Sequence, residues 1–298
     1  MSASFPRLDT LMSVNHQQDT RLRIAAIDFL NPAPLMWDFE HPPLDTELSK
    51  RYRIERMLPS ECAARLATGA SDLGLIPIAA LAAHPHLRVL PGCAIASKGH
   101  IRSLLLVRRA GQPIDKIRTV AADTASRTTV TYARVLFHKW GNGGAAFLPM
   151  AANLDQMLTQ ADAAVVIGDP ALYARQDRDA RQARTGEELV YLDMAEEWRA
   201  QTGLPYISAV WCLSPAAGGV PAETIAADCI RSRDNGLRHI DDLVAEWSPR
   251  MRLPADELRD YLGNNLHYTL DQECIEGMRG FFRTAAELRI LPAYDVQL

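Results

Sequence analysis

The sequence lacks the short motifs that mark many cofactor-dependent and metal-dependent enzymes. It contains no Walker A loop, no GxGxxG, no HExxH and no GxSxG. These motifs build phosphate-binding loops, zinc sites and exposed nucleophiles. Their absence disfavours nucleotide-dependent, zinc-dependent and serine-nucleophile chemistry. We therefore expect any reaction to proceed without a cofactor, a metal ion or an obvious protein nucleophile.

Cysteine is scarce, and its spacing does not indicate a metal site. The chain has five cysteines in 298 residues, without a CxxC pair. Each lies in an apolar or helical context, which is typical of reduced core residues in a cytosolic protein. A zinc site is therefore not expected. The five residues are Cys62, Cys93, Cys212, Cys229 and Cys274.

Charge of one sign is not concentrated anywhere in the chain. The formal net charge is -4 and the basic residues do not cluster, so neither nucleic acid nor a membrane surface is an expected partner. The longest apolar stretches are strand-sized, which disfavours a transmembrane helix. Residues 1–21 form a polar leader without the pattern of a secretory signal. We expect a cytoplasmic protein that binds a small molecule; the sequence does not indicate its oligomeric state.

Apolar residues, in contrast, are plentiful. They make up 48% of the chain, which is enough for one large domain or two medium ones. Strand-like runs alternate with helical ones, which predicts an α/β fold with mainly parallel sheets. The pattern is interrupted by a polar connector at Arg109 and again near Pro205. The sequence therefore predicts two lobes, with lobe 1 formed by residues 22–108 and 206–298, and lobe 2 by residues 109–205.

Two long apolar strands flank the middle block, at Ile101–Arg108 and Tyr206–Leu213. We expect both to cross between the lobes, so that the C-terminal helices complete lobe 1. This arrangement is typical of hinged, two-lobe binding proteins with a central ligand cleft. The ligand is expected where strand ends and helix N-termini meet. The charged stretch at residues 176–187 is predicted to be a loop.

Four strand-to-helix turns are candidates for lining that cleft. The first holds Asn31, which follows an apolar strand and precedes Pro32. Asn is a preferred helix cap and Pro a preferred first helical residue, so residue type alone favours capping over ligand binding. The second turn offers Ser97, Gly99 and Ser103, for which simple turn formation is the alternative.

The other two turns lie in the predicted lobe 2. Hydroxyl residues at a helix start add donors to free backbone N–H groups, which suits a carboxylate or phosphate. The third turn offers Ser126, Thr128 and Thr129 in this role, and helix capping is the alternative. The fourth offers Asp169, which precedes Pro170 and is favoured as a cap over an acid or base.

Six stretches together give the chain a specific resemblance. In their order and spacing they resemble the chorismate dehydratases of the futalosine route to menaquinone, over residues 22–288. TGLPYISAVW is the most distinctive of them. The six are IDFLNPAPL, LATGASDLGLIPIAAL, SKGHIRSLLL, DAAVVIGDPAL, TGLPYISAVW and YLGNNLHYTLDQECIEGMRGFF.

The resemblance implies a two-lobe, type II periplasmic-binding-protein-like fold that works as an enzyme in the cytoplasm. It implies that chorismate loses water to give 3-[(1-carboxyvinyl)oxy]benzoate. It assigns site roles to Asn31 and to Ser97 or Ser103, and a carboxylate-binding role to the helix start at Ser126–Thr129.

The chain departs from the family pattern at two places near the cleft. Lys98 stands where the family often has Asp, and Ala79–Ala80 stands where Ser is common. Both departures change the expected polarity of the cleft.

The residues contain no evident acid–base pair, while aromatisation supplies a large driving force. We therefore hypothesise that the substrate's own enolpyruvyl carboxylate takes the ring proton through a carbanion-like state. Asn31 and a serine would orient the reacting groups. Three alternatives share the fold: a plain solute-binding protein, the related enzyme that makes dihydroxynaphthoate, and a cytosolic ligand sensor.

Overall fold

The computed structural model describes residues 19–298. The predicted leader lies outside the described residues as far as residue 18. Within residues 19–298 the chain forms eleven strands. In chain order they are β1 (Leu22–Ile27), β2 (Tyr52–Met57), β3 (Leu73–Pro77), β4 (Arg88–Ser97), β5 (Leu104–Arg109), β6 (Thr119–Asp123), β7 (Ala146–Met150), β8 (Ala163–Ile167), β9 (Leu189–Asp193), β10 (Tyr206–Leu213) and β11 (His267–Leu270).

Twelve α-helices, two of them a single turn long, connect the strands of the described chain. In chain order they are α1 (Trp37–Glu40), α2 (Asp45–Leu48), α3 (Pro59–Ala67), α4 (Arg127–Lys139), α5 (Leu154–Gln160), α6 (Gly168–Gln176), α7 (Arg178–Thr185), α8 (Met194–Thr202), α9 (Ala222–Arg238), α10 (Ile240–Trp247), α11 (Ala255–Asp260) and α12 (Gln272–Glu287).

The strands form two mixed sheets, one in each lobe. The first sheet has the order β11-β4-β10-β3-β1-β2, and the second has the order β7-β6-β8-β5-β9. β1 runs parallel to β2 and β3, and β6 runs parallel to β7 and β8. Because the carboxyl ends of parallel strands lie at one edge of a sheet, each lobe presents a row of turns there. Hydrogen bonds between the lobes show that these two edges face each other.

The chain crosses between the sheets at residues 98–103 and returns at residues 203–205. The predicted boundary after residue 108 is wrong for β5, because this strand pairs with β8 and β9 in the second sheet. Lobe 1 therefore ends before the first crossover. An apolar run suits the centre of either sheet, so its composition does not reveal its partners. β10 then re-enters the first sheet between β3 and β4, antiparallel to both.

A buried aromatic cluster joins the two lobes beside the crossovers. The ring of Tyr132 in α4 stacks on that of Tyr206 in β10, with centroids 3.9 Å apart. The ring of Phe281 in α12 lies 4.3 Å from Tyr132. All three side chains are fully buried, and burial of one such ring contributes about 2–3 kcal/mol. The cluster therefore fixes α4, and the cleft-facing start of α4, against lobe 1.

The charged stretch at residues 176–187 was predicted to be a loop. This prediction is wrong, because the stretch contains α7. Arg181 of this helix is buried, and its guanidinium lies 2.7 Å from the carboxylate of Asp155 and 2.9 Å from that of Glu187. Charged residues at helical spacing form an ion-paired face as readily as a solvated loop. Composition alone therefore misassigned the stretch.

The five cysteines are free and buried, which confirms the prediction that they are core residues. Burial raises the pKa of the Cys62 and Cys93 thiols to about 12, so both stay protonated at neutral pH. Among the helices of residues 19–298, none is long and apolar enough to cross a membrane.

Candidate functional site

The turns after four strands meet where the lobes touch. The backbone N–H of Leu30, after β1, points to Asp169 Oδ1, after β8, at 3.5 Å. The backbone N–H of Ala79, after β3, donates to Thr128 Oγ1 of α4 at 3.1 Å. The predicted turns at Asn31 and Asp169 therefore oppose each other, while the predicted turn at the start of α4 opposes the turn after β3, which was not among the four.

Asn31 does not cap the helical turn that follows it. The turn at Ala33–Met36 has no side-chain cap hydrogen bond. The interpretation favoured by residue type is therefore wrong for Asn31. Its Oδ1 is buried, and no residue in the described part of the chain donates a hydrogen bond to it. A buried polar atom without a partner costs free energy, so it needs an explanation such as a ligand or water.

Ser103 follows a tight turn at the end of the first crossover. Arg102 has a positive φ of 64°, and the Ser103 N–H donates to the carbonyl of Ile101 at 2.8 Å. The buried carboxylate of Asp193 fixes this turn, since it accepts hydrogen bonds from the N–H groups of Ile101 at 3.0 Å and Arg102 at 2.7 Å. A non-glycine residue with positive φ is uncommon and strained, and such strain is concentrated at functional sites.

The hydroxyl of Ser103 is held by a tyrosine that the sequence analysis did not identify. Tyr261 Oη donates to Ser103 Oγ at 2.8 Å, and both side chains are buried. Burial raises the pKa of Tyr261, and the neighbouring side chains of Ser103 and Asn31 offset only part of this shift. The phenol is therefore a neutral hydrogen-bonding group that lies between Ser103 and Asn31.

Asp169 also lies beside Asn31 and Ser103. The N–H of its neighbour Gly168 donates to the Ser103 carbonyl at 2.7 Å. Asp169 does not cap α6, since this helix has no side-chain cap hydrogen bond, so the favoured interpretation of Asp169 is wrong too. Burial raises the pKa of Asp169 to about 6, the Leu30 N–H opposes the shift, and the negative charge of Asp28 adds to it. We call Asn31, Ser103, Asp169 and Tyr261 the Asn31 cluster.

Glycine is required at position 168 for two reasons. Gly168 has φ of 64°, a conformation that side chains with a Cβ rarely adopt. A Cβ there would also lie 3.1 Å from the ring of Phe29, in the opposite lobe. The close approach of these two turns lets Asp169 reach the backbone of Leu30.

Ser97 and Gly99 are used within their own turn. Ser97 Oγ accepts from the Gly99 N–H at 3.2 Å and donates to the Gly99 carbonyl at 3.0 Å. Ser97 is only 2% exposed. Of the two serines that the sequence offered, Ser103 is therefore the one that lies in the Asn31 cluster.

The hydroxyls at the start of α4 are also occupied by protein groups. Ser126 Oγ accepts from the Thr129 N–H at 3.1 Å, which makes it the predicted cap of α4. Thr129 Oγ1 accepts from Tyr206 Oη at 3.1 Å, while Thr128 Oγ1 accepts from the Ala79 N–H. Ser126 lines a cavity of about 480 Å³ to which no member of the Asn31 cluster contributes. The structure therefore does not join this turn and the Asn31 cluster in one cavity.

The two positions at which the chain departs from the family pattern, Ala79–Ala80 and Lys98, lie in different parts of the structure. Ala79 is buried, and its N–H is the group that meets Thr128. The ammonium of Lys98 lies 2.7 Å from the carboxylate of Asp271 and 2.8 Å from that of Glu273. Lys98 thus belongs to an ion-paired network with α12 and not to the Asn31 cluster.

A possible metal-ligand group overlaps that network. Side-chain donor atoms of His267, Asp271 and Cys274 lie within 4.8 Å of one another. The Lys98 ammonium already neutralises the Asp271 carboxylate, and the Cys274 thiol has its pKa raised to about 12 by burial. A protonated thiol and a paired carboxylate are poor metal ligands. We therefore interpret the group as an ion-pair network.

Tyr261 lies in a π-helical turn, Tyr261–Asn265, that ends the α11 segment. Such turns are rare in proteins, and those that occur often lie at functional sites. Two more buried polar atoms without a partner follow closely, Asn265 Oδ1 and the Tyr268 hydroxyl. The Gly-Asn-Asn run at residues 263–265 predicts only the end of a helix, and the partner of Tyr261, Ser103, lies 158 residues away in the sequence.

Comparison with known proteins gives a family and a fold. A family model described as "Menaquinone biosynthesis" matches residues 22–287. A curated relative, the chorismate dehydratase of Thermus thermophilus, is 25% identical over 239 residues, which cover 77% of this chain and 85% of that protein.

Three solved structures share the architecture. Protein AF1704 from Archaeoglobus fulgidus has a TM-score of 0.67 at 11% identity, covering 92% of this chain and 100% of its own. The Candida albicans CA3427 gene product, described as having the generic periplasmic binding protein fold, has a TM-score of 0.63 at 13% identity, covering 93% and 98%. The Escherichia coli aliphatic sulphonate binding protein SsuA has a TM-score of 0.59 at 15% identity, covering 93% and 90%. The predicted periplasmic-binding-protein-like fold is thus confirmed.

Proposed function

The chain belongs to the menaquinone biosynthesis family, and on this premise we propose that it is a chorismate dehydratase. It would remove water from chorismate to give 3-[(1-carboxyvinyl)oxy]benzoate, as a carbon–oxygen lyase. The observation that carries this proposal is the buried Asn31 Oδ1, to which no residue within 19–298 donates a hydrogen bond. It lies near Tyr261, which in turn donates to Ser103. The name of the Thermus thermophilus relative supports the choice of substrate.

The Asn31 cluster fits a reaction that needs orientation more than a strong base. The elimination breaks a ring C–H bond and the neighbouring C–O bond, and the aromatic product supplies the driving force. The substrate's enolpyruvyl carboxylate takes the ring proton in this proposal. Asn31 and Ser103 hold the reacting groups, while Tyr261 fixes the Ser103 hydroxyl. Such positioning contributes a factor on the order of 10² in rate.

The two carboxylates of chorismate need separate positions. We propose that the N-terminus of α4, at Ser126–Thr129, acts on one of them through its helix dipole, since the threonine hydroxyls there are already hydrogen-bonded. Opening of the lobes would join this turn to the Asn31 cluster, and closing would then exclude water.

We further propose that the protein works in the cytoplasm, on a freely diffusing substrate and without a cofactor. The five free, buried cysteines support a reducing compartment.

The experiment is incubation of the purified full-length chain with chorismate, followed by proton NMR. We expect the ring protons of chorismate to disappear and those of a meta-substituted aromatic enol ether to appear. Saturable binding of chorismate without conversion would replace the enzyme with a binding protein of the same fold. Neither binding nor conversion would overturn the proposed function.

A further inference from the structure

One carboxyl group of the Asn31 cluster has no charged partner. Asp169 extends from lobe 2 towards the turn after β1, where its Oδ1 faces the Leu30 N–H at 3.5 Å. That distance is long for a hydrogen bond. Within residues 19–298 no Lys, Arg or His forms an ion pair with Asp169. A half-buried carboxyl with neither a cap role nor a cation is available to a ligand, which indicates a functional reason for it.

The groups that face Asp169 come from three elements and do not neutralise it. Asp28, on the turn after β1, carries a like charge. Tyr173 of α6 and Tyr261 of the π-helical turn are neutral phenols, and each has its pKa raised by burial. Arg252 lies over the ring of Tyr173, with 5.4 Å from guanidinium carbon to centroid, and forms no ion pair with Asp169. The surroundings therefore favour the protonated carboxyl, whose pKa is about 6.

This inference rests on the proposed function: we propose that Asp169 is the catalytic acid that protonates the hydroxyl leaving the chorismate ring. Its position fits this role. Its carboxyl faces the N–H of Leu30, which precedes Asn31, and the adjacent Gly168 N–H donates to the Ser103 carbonyl. A carboxylic acid is also the only proton donor of suitable strength in the cluster. The amide of Asn31, the Ser103 alcohol and the buried Tyr261 phenol are all far weaker acids.

The step balances without an outside acid or base. The C–H bond at the ether-bearing ring carbon breaks, and its proton passes to the substrate's enolpyruvyl carboxylate. The freed electron pair forms the new ring double bond as the neighbouring C–O bond breaks. The departing oxygen takes the proton of Asp169 and leaves as water. The enolpyruvyl carboxylic acid then returns its proton to the Asp169 carboxylate, which restores the enzyme.

The first arm of the test compares Asp169→Asn with wild type on chorismate. The Asn side chain has nearly the same shape as that of Asp but no acidic proton to donate. We therefore expect kcat to fall about 10²-fold or more while KM changes little. Asp177→Asn is the matched control, since it makes the same change at the exposed far end of α6. Thermal unfolding monitored by circular dichroism verifies that both variants fold. A folded Asp169→Asn variant with wild-type kcat would overturn the inference.

The second arm uses pH. An acid must be protonated to act, so kcat/KM of the wild type should be flat below pH 6 and fall about tenfold per pH unit above it. Asp169→Asn should lack this limb. A wild-type profile that falls only towards low pH would contradict an acid role.

The third arm separates acid catalysis from a structural role. In a chorismate analogue with fluorine in place of the leaving hydroxyl, fluoride departs without protonation. Asp169→Asn should therefore convert this analogue nearly as fast as wild type does. Equal losses on chorismate and on the fluoro analogue would overturn the inference and leave the dehydratase proposal intact. If wild type converts neither compound, the proposed function fails, and the inference fails with it.

Discussion

The start of α4 and the Asn31 cluster both lie between the lobes, but their polar side chains differ in how many hydrogen bonds they make within the protein. At the start of α4, Ser126, Thr128 and Thr129 each accept a hydrogen bond from the protein. In the Asn31 cluster, no residue of the described chain donates to Asn31 Oδ1, and Asp169 has one weak contact. Both turns read alike in sequence, as polar residues between a strand and a helix.

The same difference separates two carboxyl groups at the ends of neighbouring strands, buried Asp123 and half-buried Asp169. Asp123, at the end of β6, accepts from the Ala125 N–H at 2.9 Å and the Ile167 N–H at 3.3 Å. Asp169, after β8, is left nearly unpaired. A satisfied polar group stabilises the fold, whereas an unsatisfied one costs stability and is available to a ligand. Substitutions should therefore affect stability in one region and activity in the other.

The largest of the remaining effects is expected for Asn31→Ala. We expect kcat/KM to fall about 100-fold, because the substrate loses an orienting contact. The free energy of unfolding should hold or rise, since no protein hydrogen bond to Oδ1 is lost. Asn153→Ala is the matched control: Asn153 caps α5 by accepting from the Gln156 N–H at 3.1 Å, so it should cost about 1 kcal/mol of stability and no activity. Full turnover by Asn31→Ala would break the comparison.

Tyr261→Phe should lower kcat about tenfold, because Ser103 loses the donor that fixes its hydroxyl. Tyr52→Phe provides the control, as Tyr52 is also buried and its Oη donates to Asp228 at 2.8 Å, away from the cleft. Steady-state kinetics should separate the two variants even if their unfolding midpoints match. Equal kcat values would remove Tyr261 from the site.

Unlike the variants of the Asn31 cluster, Thr129→Val should lower the stability of the fold more than the activity. Loss of Oγ1 leaves the hydroxyls of Ser126 and Tyr206 without an acceptor, which costs about 1–3 kcal/mol in urea unfolding. The activity of the folded fraction should change little. A loss of turnover at unchanged stability would show that Thr129 binds substrate directly.

The last expected effect is a change with pH in the free energy of unfolding. The folded pKa of Asp169, about 6, lies above the value of ~3.9 in an unfolded chain, so the unfolded state loses this proton first as pH rises. Wild type should therefore lose about 2 kcal/mol of stability relative to Asp169→Asn between pH 4 and pH 6. Paired unfolding curves at both pH values measure the difference. A constant difference would mean that the pKa of Asp169 is not raised in the folded protein.

Sequence reasoning found the features that depend on neighbours in the chain. The Ser126 cap of α4, the buried cysteines and the position of Asn31 after β1 all follow from local pattern. It wrongly favoured helix capping for Asn31 and Asp169, because residue type favours caps and only tertiary contacts oppose it. It also missed Tyr261 and the sheet to which β5 belongs, since both depend on pairing between distant segments.

The most direct test of the account is a structure of the protein with 3-[(1-carboxyvinyl)oxy]benzoate bound. The account predicts that the ligand hydrogen-bonds to the Asn31 side chain and contacts Ser103 and Asp169, while the hydrogen bonds of Thr128 and Thr129 stay in place. A ligand held in the cavity beside Ser126, with Asn31 Oδ1 still unpartnered, would contradict it.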